Sequence, residues 1–305
     1  MNRQSVILDT DIGGDIDDTW ALALLLKLDA IDIKLITIVT YDTMYQSKLV
    51  AKLLQTVGRE DIPIAVKPGM SGWDGPQAGW VKDFDLDKYK GIIRYDIEDA
   101  IGEMSEVENI VLLSIGPVTN IANAAKQYPQ MGERIKVLGM QGSIHIGYNG
   151  DTTPVAETNV RLDVPSCREL YQLFSNLVIF PLDNCGLLRF KGEQYQRILS
   201  HNDPLIKAVI ENYKNWWLNC DWNEQAQDVD YETSVLFDVA PIMYLVCPDC
   251  FVIEQLQLSI DDEGNTIIDK ENGTLMDVAI GWKDEAMFYQ LLEGAMLRET
   301  MKEGL

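Results

Sequence analysis

Five aspartates crowd the turn between an apolar run and a helix near the start of the chain, and this turn constrains the fold more than any other segment. The run Val6-Ile7-Leu8 has the length of a buried strand, and residues 20–26 read as the opening of a buried helix. The turn lies at the carboxyl end of a predicted strand, where open α/β sheets bind their ligands. Its acids are Asp9, Asp11, Asp15, Asp17 and Asp18.

This aspartate cluster needs positive charge. Neighbouring carboxylates raise one another's pKa, and folding must work against their repulsion. A helix N-terminus offers only about half a charge, whereas a divalent cation held by oxygen ligands offers much more. Because the cluster contains no Cys or His, calcium or magnesium is favoured over zinc or copper. The alternative interpretation is that some of the acids cap the helix while the others remain in water.

The composition excludes several classes of partner. Among 305 residues, Lys and Arg number 25 and Asp and Glu number 48, which gives a formal net charge of -23. Nucleic acids and anionic membranes bind clustered positive charge, so neither is an expected partner, whereas an uncharged small molecule is compatible with this charge. No apolar stretch approaches the roughly 18 residues of a membrane span, and the first residues lack a signal-peptide core. The sequence therefore predicts a soluble, cytoplasmic protein.

The cysteines give no pattern of a disulfide framework. They number five, and the only close pair is Cys247 and Cys250. This C-x-x-C precedes an apolar, strand-like run, whereas a redox motif would open a helix. We therefore expect reduced structural thiols.

Strand-like runs alternate with helical patterns along much of the chain. The strand-like runs cover residues 6–8, 34–39, 62–66, 109–113, 135–140 and 177–182, and the helical patterns include residues 47–57, 118–128, 164–174 and 204–217. Such alternation is typical of βαβ units and a mostly parallel sheet covered on both faces. No linker, repeat or low-complexity tract interrupts the pattern. We predict an α/β fold in which residues 1–305 form a single domain with an open, Rossmann-like, mostly parallel sheet and helices on both faces.

Two known aspartate motifs fit the cluster poorly. An EF-hand loop counted from Asp9 requires an oxygen ligand where Gly13 stands and Glu where Trp20 stands. The start of a haloacid-dehalogenase-type phosphatase fits Asp9-Thr10-Asp11, but that motif does not continue with two glycines. The segment instead resembles the amino-terminal signature of the inosine-uridine-type nucleoside hydrolases, which is Asp-x-Asp, Gly, Asp-Asp and a small-apolar helix. Two extra residues before the Asp-Asp pair resemble a bacterial branch of that family.

The resemblance continues along the chain in the family's order. Four later segments are similar to family motifs: Ile115-Gly-Pro-Val-Thr-Asn-Ile-Ala122, Met140-Gln-Gly142, Ala156-Glu-Thr-Asn159 and Phe237-Asp-Val-Ala-Pro-Ile-Met-Tyr-Leu245. Asp42 stands where the family carries an Asn or Asp that contacts ribose. The combination of motifs is far more specific than any one of them.

The resemblance implies hydrolysis of the N-glycosidic bond of a ribonucleoside by a calcium-activated water. Asp11, Asp18, Asp238 and the Ile115 carbonyl would bind Ca²⁺, and Asp11 would take the proton of the water. The sugar hydroxyls would be held by Asp17, Asp42, Glu157 and Asn159. Two alternatives stay open. If the family motif is aligned from Asp11 rather than from the helix, Asp15 stands where a carboxylate could reach the same metal. Asp42 or Asn159 could instead be turn formers.

One position departs from the family pattern. Many pyrimidine-accepting members carry a His just before the last metal-binding Asp, as the acid for the leaving base, and here Phe237 stands there. His145 and His201 are the only histidines of the chain. His145 follows a strand that faces the site and could be recruited as the acid, with a surface or packing role as the alternative, whereas His201 is expected at an exposed helix end. We therefore predict a preference for purines, which stack on aromatic rings. Phe237 would form one wall for the base, and Trp80, or else Trp73, the other.

Two other functions remain possible at this level. The chain could be a non-catalytic, calcium-dependent binder of nucleosides or sugars, or a phosphatase that uses Asp9-Thr10-Asp11. The resemblance also implies a homodimer or a homotetramer.

Overall fold

The computed structural model describes residues 3–67, 72–222 and 228–300. The strands are β1 (Gln4–Thr10), β2 (Ile31–Ile38), β3 (Ile64–Val66), β4 (Ile93–Arg94), β5 (Val111–Ser114), β6 (Lys136–Gly139), β7 (Leu177–Ile179), β8 (Phe251–Ile260), β9 (Thr266–Ile268) and β10 (Thr274–Trp282). The helices are α1 (Asp17–Lys27), α2 (Thr43–Val57), α3 (Ala78–Val81), α4 (Ile97–Met104), α5 (Thr119–Gln127), α6 (Met131–Arg134), α7 (Thr158–Leu162), α8 (Val164–Leu173), α9 (Leu182–Cys185), α10 (Gly192–Leu199), α11 (Pro204–Asn219), α12 (Val239–Tyr244) and α13 (Glu285–Met296).

Among these residues the strands form one 10-stranded sheet in the order β4-β3-β2-β1-β5-β6-β7-β10-β8-β9. From β4 to β10 every neighbouring pair is parallel, whereas β8 runs antiparallel to both β10 and β9. The strand order reverses at β1, which pairs with β2 on one side and β5 on the other. Crevices for ligands form at such a reversal in open α/β sheets.

The centre of the sheet is buried on both faces. Val6 and Leu8 of β1 belong to one apolar core, and Ile7 between them belongs to the other, since successive side chains of a strand point to opposite faces. The first core also contains α1, whose run Trp20–Leu25 is buried throughout. An unbroken apolar run suits such a helix, because neighbouring elements cover all its sides.

The predicted α/β fold is confirmed, including the mostly parallel sheet with helices on both faces. The strand-like run at residues 62–66 shortens to β3, because Pro63 has no N–H for the ladder. Strands β9 and β10 and helix α13 have no counterpart in the predicted elements. All five cysteines are buried free thiols. None of the described helices is long and apolar enough to cross a membrane.

A buried ion pair ties the end of α1 to the start of α11. Lys27 Nζ lies 3.2 Å from Asp203 Oδ1, and both side chains are fully buried. The same Oδ1 accepts hydrogen bonds from Leu205 N and Ile206 N, so Asp203 also caps α11. Asp203 Oδ2 accepts from Thr300 N at 2.8 Å. One carboxylate therefore holds three segments together.

We expect Asp203→Ala to lower the free energy of unfolding by about 3–5 kcal/mol, because it leaves Lys27 charged and unpaired in the interior. Urea titration followed by circular dichroism measures the change. Asp32→Ala is the matched control: it removes the partner of Lys34 from a partly exposed pair and should cost less than about 1 kcal/mol. Equal losses in the two variants would contradict the role given to the buried pair.

Candidate active site

A cavity of about 530 Å³ opens at the carboxyl ends of the central strands. Asp11 follows β1, Ile115 follows β5 and Met140 follows β6, and all three lie in its wall. The complete lining is Asp11, Gly14, Asp15, Asp17, Asp18, Tyr41, Trp73, Ile115, Met140, Tyr148, Glu157, Thr158, Asn159, Arg161, Trp222, Phe237 and Asp238. The predicted site residues therefore meet in one place, with two exceptions given below.

The turn from β1 to α1 is closed by its own short contacts. Thr10 Oγ1 donates to Asp18 and accepts a hydrogen bond from Ile12 N at 3.1 Å. Gly13 has φ 117°, and a Cβ there would lie only 2.8 Å from the Tyr45 ring. Only glycine fits such a position without strain. The chain therefore passes from strand to helix within a few residues and keeps its carboxylates together.

Three buried carboxylates converge at the floor of the cavity. Asp17 and Asp18 open α1, Asp238 precedes α12, and their oxygens lie within 4.8 Å of one another. The three residues are only 5%, 3% and 2% exposed. Burial raises the pKa of each carboxyl well above its usual value, and the charges of neighbouring aspartates raise it further.

This cluster has the chemistry of a metal site. Its ligand atoms are carboxylate oxygens, without thiol or imidazole, and such donors suit a hard divalent cation. A cation between them would offset both the repulsion and the cost of burial. Asp17, Asp18 and Asp238 could therefore hold a metal ion. Two of these residues, Asp18 and Asp238, belong to the predicted ligand set, and the structure brings Asp17, a predicted sugar ligand, beside them.

Asp11 lies next to this cluster. A Cβ at Gly116 would lie 2.8 Å from Asp11 Oδ1, so the glycine lets the carboxylate approach the backbone just after Ile115. Burial, followed by the charges of Glu157 and Asp9, raises the pKa of Asp11 to about 8. Asp11 in turn raises the pKa of Asp18. Asp11 therefore lies beside the three carboxylates and near Ile115, although it is not one of the three that could hold a metal ion together.

Asp15 also lines the cavity but lies outside the group of three carboxylates. Its Oδ1 accepts a hydrogen bond from Ile16 N at 2.7 Å, and burial raises its pKa to about 6. When the family motif is aligned from the helix, its Asp-Asp pair falls on Asp17 and Asp18. This alignment therefore describes the geometry better than the alignment from Asp11.

Glu157 and Asn159 are held in position by backbone contacts. Glu157 accepts hydrogen bonds from the N–H groups of Gly142, Asn159 and Val160, so it caps α7 and fixes the turn after β6. Asn159 Nδ2 donates to the Met140 carbonyl at 3.0 Å. Burial raises the pKa of Glu157 to about 7. Both residues line the cavity next to Met140, as a pair of rigid sugar-binding groups would.

Asp42 lies outside the cavity wall. Its Oδ1 accepts hydrogen bonds from Met44 N and Tyr45 N at the start of α2, and its Oδ2 accepts one from Gly72 N at 2.7 Å. Both oxygens are therefore used by the backbone. These contacts fit the alternative of a turn-forming cap, and Asp42 is not among the residues that line the cavity.

Trp80 is also outside the cavity. Its ring packs against Lys52, with Nζ 4.0 Å from the ring centroid, and its Nε1 donates to Glu211 at 3.3 Å. It lines a separate cavity between α3 and α11. The prediction that Trp80 forms a wall for the base is wrong, because the polypeptide turns this side chain toward α11. Trp73, the second choice, does line the cavity.

Aromatic rings surround the upper part of the cavity. Tyr41 stacks on Trp73 with ring centroids 4.6 Å apart and an interplanar angle of 27°. Tyr148 meets Phe237 edge-on at 5.9 Å, and Trp222 lies in the same wall. Sequence reasoning missed Tyr41, Tyr148, Trp222 and Arg161. The position of Tyr41 directly after β2 was the one available signal for it.

The backbone around Tyr41 is strained. Thr40 has φ 63° and Tyr41 has φ 41°, values that L-residues rarely adopt. Such outliers cluster at functional sites and cost of order 1–3 kcal/mol each. Here the strained turn places the Tyr41 ring against the cavity.

The two histidines do not contribute to the cavity wall that the described residues form. His145 is exposed and donates its backbone N–H to Asp183. His201 Nδ1 accepts from Asp203 N at the start of α11. Phe237 therefore has no histidine substitute among the lining residues.

Comparison with known proteins identifies the family. Residues 6–290 match the family described as inosine-uridine preferring nucleoside hydrolase. The chain belongs to this family. The match covers nearly the whole chain and includes every residue of the cavity wall.

Curated relatives of this nucleoside hydrolase differ in the bases they are named for. The non-specific ribonucleoside hydrolase RihC of Klebsiella pneumoniae (strain 342) is 26% identical over 296 residues, which cover 88% of this chain and 89% of that protein. The pyrimidine-specific ribonucleoside hydrolase RihA of Citrobacter koseri is 24% identical over 302 residues, covering 89% and 92%.

Solved structures share the fold. The plant nucleoside hydrolase PpNRh1 aligns with a TM-score of 0.79 at 17% identity, covering 96% of this chain and 99% of that one. A purine-preferring ribonucleoside hydrolase from Gardnerella vaginalis aligns with a TM-score of 0.75 at 20% identity, with the same coverage. The predicted family, fold and enzyme class, an N-glycosyl hydrolase, are confirmed. The phosphatase alternative, which depends on Asp9-Thr10-Asp11 alone, is wrong.

We expect Thr40→Gly to be more stable than Thr40→Ala by about 1 kcal/mol, because glycine adopts the left-handed conformation of residue 40 without strain and alanine does not. In ordinary helix or strand positions the order is reversed, with glycine less stable by roughly 0.5–1 kcal/mol. The comparison is made by urea titration of the two variants. A more stable alanine variant would show that Thr40 is not strained in solution.

Proposed function

We propose that this nucleoside hydrolase cleaves purine ribonucleosides to base and ribose with the help of a bound calcium ion. The observation that carries the proposal is the convergence of Asp17, Asp18 and Asp238 beside Asp11, beneath a ring of aromatic side chains. The proposal combines a charged floor, suited to a metal and a sugar, with an apolar upper part suited to a base.

Calcium is the cation that we assign to the floor. Mg²⁺ demands a near-ideal octahedron at about 2.0–2.1 Å and keeps several waters, whereas Ca²⁺ accepts 6–8 oxygens in irregular geometry. Asp11, Asp17, Asp18 and Asp238 and the backbone at Ile115 offer several oxygens and leave room for the substrate's own hydroxyls. This chemistry favours the larger ion.

The residues of the chain would divide the reaction as follows. When bound, the ion would polarise a water and orient the sugar hydroxyls. Asp11 accepts the proton of the attacking water, whose oxygen forms a bond to the anomeric carbon while the bond to the base nitrogen breaks. Glu157 and Asn159 hold the sugar. The carboxylates around it stabilise the positive charge that develops on the ring.

The upper part of the cavity supports a preference for purines. The Tyr41–Trp73 stack lies on one side, and Phe237 with Tyr148 offers further ring surface. Stacking on aromatic rings is worth about 1–3 kcal/mol per base, and the larger purine gains more from it. Once stacked, a purine can be protonated from solvent at its imidazole nitrogen, so no histidine at position 237 is needed.

The resemblance to the family also supports a homodimer or homotetramer. Sedimentation velocity of the purified protein distinguishes these forms from a monomer.

Calcium should stabilise the fold by mass action. We expect a rise in Tm when Ca²⁺ is added to chelator-treated protein, and no rise in Asp18→Ala or Asp238→Ala. Asp9→Asn is the control, because Asp9 is buried outside the cavity wall, where it accepts hydrogen bonds from Thr37 and Asn120. Differential scanning fluorimetry measures the shifts. A wild-type Tm that does not respond to Ca²⁺, together with no calcium by elemental analysis, would exclude a calcium site.

Base preference should appear in the specificity constants. We expect inosine to be cleaved with a larger kcat/KM than uridine, and Phe237→His to raise the value for uridine by supplying a proton donor. Asp11→Asn should lower both rates by about 10²–10⁴-fold, the usual contribution of a general base. Uridine cleaved as well as inosine by the wild type would refute the preference. Calcium-dependent ribose binding without any turnover would favour the non-catalytic binder.

A further inference from the structure

Arg161 is the one basic residue in the cavity wall formed by the described part of the chain. Six acids share that wall: Asp11, Asp15, Asp17, Asp18, Glu157 and Asp238. A guanidinium placed in such surroundings would ordinarily pair with one of them. In the described residues no salt bridge or hydrogen bond of the Arg161 side chain is formed, so its donors remain available to a ligand.

The position of Arg161 is fixed by α7. Its N–H donates to the Glu157 carbonyl at 2.8 Å, within the helix that the Glu157 carboxylate caps. Thr158, three residues earlier on the same face of the helix, also lines the cavity. Arg161 is exposed, so its side chain stands at the mouth rather than at the floor.

The guanidinium charge of Arg161 acts on two groups that share the cavity wall with it. It lowers the pKa of the Tyr41 hydroxyl and of the Glu157 carboxyl, although burial raises both overall. Tyr41 belongs to the aromatic stack with Trp73, and Glu157 to the proposed sugar-binding pair. Arg161 therefore shares one cavity wall with the aromatic stack and with the proposed sugar-binding pair.

We propose that Arg161 is a catalytic residue that donates hydrogen bonds to the departing nucleobase. This inference rests on the proposed function. It names the group that assists the leaving base in this chain, where Phe237 stands at the position of the histidine that many pyrimidine-accepting members carry. As the bond to the base nitrogen breaks, its electron pair stays on the base, and Arg161 stabilises that negative charge without giving up a proton, since arginine remains protonated in proteins. The base takes its proton from solvent, and Asp11 holds the proton of the water until it is released.

A different role for the same charge would be to bind a phosphate on the sugar of a nucleotide substrate. The acidic wall argues against it, because a phosphate dianion would meet six carboxylates and a single guanidinium. A nucleobase is neutral when it binds and becomes negative only in the transition state, so Arg161 improves the reaction more than the binding.

The test compares two leaving groups on the calcium-supplemented full chain. We expect Arg161→Ala to lower kcat/KM for inosine by about 10²-fold, the effect of removing one preorganised donor. Hydrolysis of p-nitrophenyl riboside should change less than about 3-fold, because its leaving group is a stable anion that needs no assistance. Arg134→Ala is the matched control, since Arg134 is an exposed arginine outside the cavity that pairs with Glu106. Added guanidinium ion at millimolar concentration should partly restore inosine cleavage by Arg161→Ala.

The outcomes separate this inference from the proposed function. Parallel losses for both substrates would mean that Arg161 acts on the sugar or on the fold, and no loss for either would mean that it does not assist the reaction. A wild type that prefers inosine 5′-monophosphate to inosine, with the preference lost in Arg161→Ala, would assign the residue to phosphate binding. Each of these results overturns the inference while nucleoside hydrolysis stands. A wild type that cleaves neither riboside overturns the proposed function and the inference together.

Discussion

The burial of like charges is the constraint on which the rest of this structure depends. Six carboxylates share one cavity, and three of them, Asp17, Asp18 and Asp238, have oxygens within 4.8 Å of one another. Burial raises the pKa of each well above the usual value, so the fold must hold them against a force that would separate them. It does so with buried elements, since β1 lies between the two apolar cores and α1 belongs to the first of them. The buried carboxylates therefore destabilise the fold locally, and packing elsewhere in the protein offsets this free-energy cost.

Strand β1, the turn after it and helix α1 carry these carboxylates. They were predictable from sequence because the residue patterns that specify them lie within one short segment. An apolar run ending in acids, followed by glycines and an apolar helix, specifies a strand, a tight turn and a buried helix without reference to distant residues. Glu157 and Asn159 were located by the resemblance of Ala156–Asn159 to a family motif, together with the expectation that polar segments beyond the ends of parallel strands meet at one edge of the sheet. Gly116 lies in a predicted motif, but local sequence does not explain why this position has no side chain. The reason is that Asp11, which follows another strand, approaches the backbone there.

The predictions failed where the path of a loop decides which way a side chain points. Asp42 and Tyr41 are neighbours after β2, but the carboxylate turns back to cap α2 while the ring enters the cavity, and the strained φ of Tyr41 leaves no mark in the sequence. Trp73 and Trp80 lie in one Gly- and Pro-rich segment, and only contacts with α2 and α11 separate their roles. Strands β9 and β10 were missed because β9 has only three residues and because Asp277 and Gly281 interrupt the apolar pattern of β10.

An acidic cavity also sets opposite requirements for the two products of glycosidic cleavage. In the proposed reaction, its carboxylates would stabilise a sugar ring that becomes positive, and the same charges would disfavour a base that becomes negative. At an effective dielectric constant of about 20, one carboxylate about 7 Å from the base costs about 2 kcal/mol, so several of them would slow the reaction substantially. The buried carboxylates of Asp17, Asp18 and Asp238 converge at one place in the cavity, while its wall also holds aromatic rings and the exposed Arg161. Since Phe237 cannot donate a proton, the charge of the departing base must be offset by solvent or by a hydrogen-bond donor at the mouth. A nucleoside hydrolase without the histidine therefore depends more on the spatial order of its charges than on any single acid.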